Sequence, residues 1–162
     1  MSASVAASIR QALQTAGFGR LDVSVRQGPG SGVRVEVRRA LVPLDRVQRI
    51  ARAYESVRMC EASGEILCGG NTFVSVRYAS GVLEPWSNLA QGQISAGRQV
   101  FGSLRVEPAG PWRRAVWRWV EGSGHHVTEI DGQRGGAELA ELLAKEGALS
   151  VLEEEWRQVA AS

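Results

Sequence analysis

Lysine is almost missing from this chain. Lys145 is the only one among 19 basic residues. Cysteine is scarce too, with Cys60 and Cys68 alone, which excludes the disulfide framework of a small secreted domain. No apolar run approaches the roughly 18 residues that a membrane helix needs. Met1 to Gln14 places no basic patch ahead of an apolar stretch, so no secretory signal is expected. No internal repeat or low-complexity tract stands out. A soluble, cytoplasmic protein is therefore expected. Its 162 residues, 44% hydrophobic and 22% charged, make about one globular domain or two very small ones. That length buries a core without help from disulfide or metal.

Charge is present and unevenly spread. Residues 1–80 hold 11 basic and 6 acidic side chains, while residues 81–162 hold 8 and 11. The first half is basic and the tail acidic. Codon bias in a GC-rich genome accounts for arginine over lysine. Arginine's planar fork also suits phosphates and carboxylates and stacks on flat rings.

Val5, Ile9 and Leu13 form one apolar stripe, which predicts a helix with Ser4 as cap and Gly17 as stop. Leu21, Val23 and Val25 then alternate with Asp22, Ser24 and Arg26; after the glycine-rich turn 27–32, Val33, Val35 and Val37 alternate with Arg34, Glu36 and Arg38. Two such runs around a turn predict a β-hairpin. Pro43 suits the first turn of a second helix, followed by Leu44, Val47, Ile50, Tyr54 and Val57. Arg46, Arg49 and Arg52 fall on its solvated side. A third strand, Thr72 to Tyr78, puts Val74, Val76 and Tyr78 on one face and Phe73, Ser75 and Arg77 on the other. This α-β-β-α-β order predicts an α+β, two-layer sandwich with a mainly antiparallel sheet and one helix-free face.

Residues 81–111 are rich in Gly and Pro and are expected to be a connection, with one short strand over Gln99 to Val106. Arg114 to Glu121 alternates again, Gly122-Ser123-Gly124 is the expected turn, and His126 to Asp131 is the expected return strand. Leu139, Leu142 and Leu143 stripe a helix that Gly147 ends. Ser150 with Glu153 fits a capping box for a last helix bearing Leu152, Trp156 and Val159. The expected division is thus 1–80, a connection over 81–111, and a smaller β-plus-helix part over 112–162.

The segment Glu65-Ile66-Leu67-Cys68-Gly69-Gly70-Asn71-Thr72-Phe73-Val74 is the most distinctive. With Val23-Ser24-Val25-Arg26 and the helix leading to Tyr54-Glu55, it resembles a large polyvalent protein-associated domain over residues 5–80. That family occurs in multidomain proteins of phages and conjugative elements and as small bacterial relatives. The resemblance implies an accessory role in mobile-element biology and supplies no catalytic residues.

Three groups of residues carry candidate chemistry. Gly69 and Gly70 tolerate left-handed backbone, so with Asn71 they suit an anion-binding turn; a plain tight turn is the simpler reading. There is no G-x-x-x-x-G-K before a helix, so it is no ordinary phosphate loop. Cys68 with His125 and His126 has the minimum for nucleophilic catalysis. No protease-like signature surrounds it, and the spacing with Cys60 fits no zinc knuckle; no metal or other cofactor is expected. The strongest candidate is the helix-free sheet face. Arg26, Arg34, Arg38, Phe73 and Arg77 share it with Ser24 and Ser75, a composition suited to stacking and neutralising single-stranded nucleic acid. Glu36 lies among them and opposes that use. The alternative is a covered face, under the Trp112, Trp117 and Trp119 segment or a second copy.

The expected function is a non-enzymatic accessory protein that binds nucleic acid, or a protein that handles nucleic acid, through this face. A protein–protein adaptor or inhibitor using the tryptophan-rich second half is the alternative, and a cysteine-dependent enzyme comes third. Self-association is left open, and no membrane partner is expected.

Overall fold

The computed structural model describes residues 4–28, 30, 32–56, 63 and 71–156. The chain divides into two compact units, Met1–Val82 and Leu83–Ser162. Each combines helices with one sheet, so the α+β class holds.

The first unit runs α1 (Val5–Thr15), β1 (Val23–Gln27), β2 (Gly32–Val37), α2 (Leu44–Arg52), β3 (Phe73–Tyr78). The Ser4 hydroxyl accepts a hydrogen bond from Ala7 N–H at 3.1 Å, satisfying one of the donors that a helix start leaves open. Ala6, Ile9 and Leu13 are its buried stripe. Beyond α1, Gly17 takes φ 97°, the left-handed turn that glycine adopts without strain. β1 and β2 pair antiparallel as the predicted hairpin, with Val25 opposite Val35 and Arg26 opposite Arg34. β2 and β3 pair parallel, Val35 opposite Val76. Parallel neighbours need a crossover, and α2 lies within it. Val23, Val25, Val33, Val35, Val37 and Val74 face inward and share one core with Ile9, Leu13, Leu44 and Val47. Both helices therefore lie on one side of the three-stranded sheet.

Three local expectations change here. Leu21 precedes β1 and is exposed, because the tight turn at Gly19–Asp22 ends just before the strand. Pro43 is the N-cap and not in the first turn. α2 stops at Arg52, so Tyr54 lies outside it and is exposed; Val57 is outside the described residues. Glu55 instead turns its carboxylate to β3, accepting from Val74 N–H at 2.9 Å. That bond occupies an edge-strand donor that would otherwise invite pairing.

The second unit runs α3 (Glu84–Ser95), β4 (Val100–Phe101), β5 (Leu104–Pro108), β6 (Arg113–Val120), β7 (Ser123–Asp131), α4 (Gly136–Glu146) and a 3₁₀ turn over Leu149–Glu153. The four strands form an antiparallel meander in chain order. Phe101, Leu104, Val116, Leu139, Leu143, Leu149 and Leu152 are fully buried. Residues 81–111 are therefore no connection: they hold α3, β4 and β5, and the two units are nearly equal in length. Pro85 sits in the first turn of α3 and Gly97, φ 96°, follows its end; both residues read as loop signals in the sequence but here bound a helix. The β6–β7 turn falls at Glu121-Gly122, both with positive φ, one residue earlier than expected. The register of β6 against β7 shifts between Val116 and Trp117, leaving Val127 of β7 as the extra, unpaired residue of a bulge; Ala115 and Val116 are both buried. Ser150 lies inside the 3₁₀ turn and Ala148 is its N-cap, with no side-chain cap; Val159, expected on the last helix, lies outside the described residues.

Candidate functional site

The helix-free face of the first sheet is built by register. Three described rows cross it: Gly32 beside Phe73, Arg26–Arg34–Ser75, and Ser24–Glu36–Arg77. Side chains alternate along each strand, so every row points away from the valine core. Arg38 continues the pattern just past β2, its N–H bonded to Asp22 O at 2.7 Å. Arg26, Arg34, Arg38, Phe73, Ser75 and Arg77 are exposed, Phe73 at 42%. By register, Arg26, Arg34 and Arg77 thus point to the same side of the sheet.

Their electrostatic states differ. Arg77 is held by Glu36, Nη2 to Oε1 at 3.1 Å. Glu36 is thereby neutralised within the face, but Arg77 is committed to it. Arg38 donates weakly to Arg20 O at 3.4 Å. Arg26 and Arg34 stand directly opposite each other, and among the described residues neither has an ion-pair or hydrogen-bond partner. Like charges opposite each other destabilise a sheet, and an anion seated between them relieves that repulsion.

At one end of the face lies a hollow of about 350 Å³, bordered by Gly28, Gly32, Arg34, Glu55, Phe73 and Ser75. Gly28 and Gly32 close the hairpin there, Gly28 N–H donating to Gly32 O at 2.7 Å. A Cβ on Gly28 would sit 3.2 Å from that oxygen. The two glycines leave open the space beside the Phe73 ring, enough for one flat group to stack.

The other candidates fare differently. Cys60, Cys68, Gly69 and Gly70 lie outside the described residues. Asn71 is buried. His125 and His126 are exposed on neighbouring positions of β7 and pair with Arg118 and Trp117 on β6; the His126 ring stands edge-on to Trp117 at 5.2 Å. Among the described residues no three His, Cys, Asp or Glu side chains cluster as metal ligands would, and no helix is long and apolar enough to cross a membrane. Trp112 is 68% exposed and holds φ 69°, a left-handed backbone that costs a bulky residue energy. Sequence reasoning did not mark it as strained, since a positive φ at a non-glycine has no composition signal.

No family model, no curated protein and no solved structure matches this chain.

Proposed function

We propose that this chain is a non-catalytic accessory protein that binds single-stranded nucleic acid across the open face of its first sheet. One observation carries the reading: the exposed pair Arg26–Arg34, without an ion-pair or hydrogen-bond partner among the described residues, lies beside the Phe73 hollow. Phosphates neutralise the two guanidinium groups, and a base stacks on Phe73, the combination by which sheet surfaces hold single strands without reading sequence. The basic balance of residues 1–80 favours the same partner. The sequence's resemblance to polyvalent protein-associated domains is consistent with a role in mobile-element biology.

Fluorescence anisotropy with labelled single-stranded oligonucleotides at low salt tests it. Binding is expected, with loss in the double variant Arg26→Gln plus Arg34→Gln. Absence of binding at low salt removes the proposal.

Trp112 supports a second reading. An exposed indole kept in strained backbone at the tip of the β5–β6 connection is a suitable anchor for a protein partner. Pull-down with Trp112→Ala as the control separates it from the first, because that variant leaves the sheet face intact.

A further inference from the structure

A second hollow opens in the first unit, where α1 meets the free edge of β1. Its volume is about 340 Å³, the lower end of the range for small-molecule sites. Arg10, Arg20 and Arg38 line it, with Gln14, Phe18 and Ser24 beside them. Among the described residues, no acidic side chain lines it. Asp22, in the neighbouring loop, is engaged elsewhere: one oxygen accepts from Gly19 N–H at 3.2 Å and the other faces Arg39 at 3.5 Å.

The hollow is organised before any ligand arrives. Arg10 Nη2 donates to Val25 O at 2.8 Å, which fixes its guanidinium over the strand edge. The α1–β1 loop is pinned at both ends, by Phe18 N–H to Leu13 O at 2.8 Å and by Val23 N–H to Gly19 O at 3.0 Å. Its lining is also mixed in a telling way. Arginines supply forked donors for phosphate oxygens, while Leu13, Phe18 and Val23 add apolar surface. An inorganic anion uses only the first kind of wall. A nucleotide uses both.

We propose that this hollow is a nucleotide site, taking one phosphate on Arg10, Arg20 and Arg38 and one ring against the Phe18 side. It depends on the strand-binding reading only for the source of the nucleotide. Arg38 and Ser24 belong to both the hollow and the sheet face, so one nucleotide unit of a bound strand reaches it by leaving the face over the β1 edge. Gly32 to Arg38 spans roughly 20 Å at about 3.3 Å per residue, which separates this site from the Phe73 hollow.

Adenosine 5′-monophosphate, inorganic phosphate and a short single-stranded oligonucleotide are the probes, titrated into the full isotope-labelled chain and followed by side-chain and backbone NMR shifts. The expected result is saturable shifts at Arg10, Gln14 and Phe18 with the mononucleotide, at lower concentration than with phosphate. Arg20→Gln and Arg10→Gln should each weaken mononucleotide binding about ten-fold at low salt, the usual worth of a hydrogen bond to a charged group. Arg49→Gln, on the exposed side of α2, should not. Arg26→Gln should weaken the oligonucleotide and leave the mononucleotide unchanged. Unmoved signals at millimolar mononucleotide, or an Arg49→Gln effect equal to that of Arg20→Gln, overturn the site. Mononucleotide binding that is as strong in Arg10→Gln and Arg20→Gln as in the parent chain also overturns it, and oligonucleotide binding that still depends on Arg26 then leaves the face reading intact. Mononucleotide binding without oligonucleotide binding supports the site for free nucleotides and removes the face reading alone.

Discussion

Arg26 and Arg34 oppose each other across the β1–β2 hairpin, with no carboxylate of the described residues paired to either. Cross-strand pairs change stability by about 0.2–1 kcal/mol relative to neutral ones, and like charges act against the fold. Arg34→Glu should therefore raise the melting temperature slightly while eliminating oligonucleotide binding. A thermal melt and an anisotropy titration on the same preparation read both. A variant that is less stable and still binds would contradict the role given to this pair.

Salt reports the number of phosphates held. Single strands give a log–log slope of about −0.7 per neutralised phosphate. If Arg26, Arg34 and Arg38 each hold one, the slope is about −2, and each single glutamine variant should flatten it by about 0.7. A slope indistinguishable from zero would mean that the arginines do not touch phosphate.

Phe73 separates stacking from charge. Its ring is exposed, so Phe73→Ala should shift stability by less than about 0.5 kcal/mol, as ordinary surface changes do. Binding should weaken by about 1–3 kcal/mol, the worth of one stacked base, with the salt slope unchanged. Phe73→Trp should restore it.

Two glycines in the second unit should respond with opposite signs. A methyl on Gly136 would stand 2.5 Å from Ser87 O and 2.6 Å from Gln91 N. Those backbone atoms belong to α3 and cannot swing aside, so Gly136→Ala should cost about 1–3 kcal/mol. A methyl on Gly92, inside α3, meets nothing within 4 Å. Gly92→Ala should stabilise by about 0.5–1 kcal/mol through helix propensity. Denaturant melts of the two variants check the contrast.

Arg98 holds three acceptors in the second unit: Val100 O at 2.7 Å, Gln93 Oε1 at 2.7 Å and Val151 O at 3.0 Å. Its guanidinium also lies over the Phe101 ring at 4.6 Å. Burial pulls its pKa below the ordinary arginine value, and the nearby Glu154 charge acts the other way. Arg98→Met keeps much of the volume but leaves the buried Gln93 oxygen without its donor. A loss of about 2–4 kcal/mol is expected, since each orphaned buried polar group costs about 1–3. Hydrogen exchange should show faster opening around Leu149–Glu153. Unchanged protection there would show that the network is dispensable.

The first unit was legible because its elements are amphipathic and close in sequence. Valines at every second position place the hairpin and β3, and once they are buried the arginines between them must face the other way. The second unit was harder. α3 carries Gly92 within it and has Pro85 and Gly97 at its ends, so its periodic signal is weak, and packing of Ala90 and Ile94 stabilises it more than propensity does. The bulge on β7 has no sequence signal either, since the alternation of β6 does not show that its partner carries one extra residue at Val127. Register and loop closure settled the sites themselves. Sequence alone placed Arg26 and Arg34 on one face but could not place them opposite each other, nor bring Arg10 to Val25, 15 residues away. Local periodicity is written by side-chain burial, whereas a hollow is made where elements distant in the chain meet, and that meeting is a property of the folded whole.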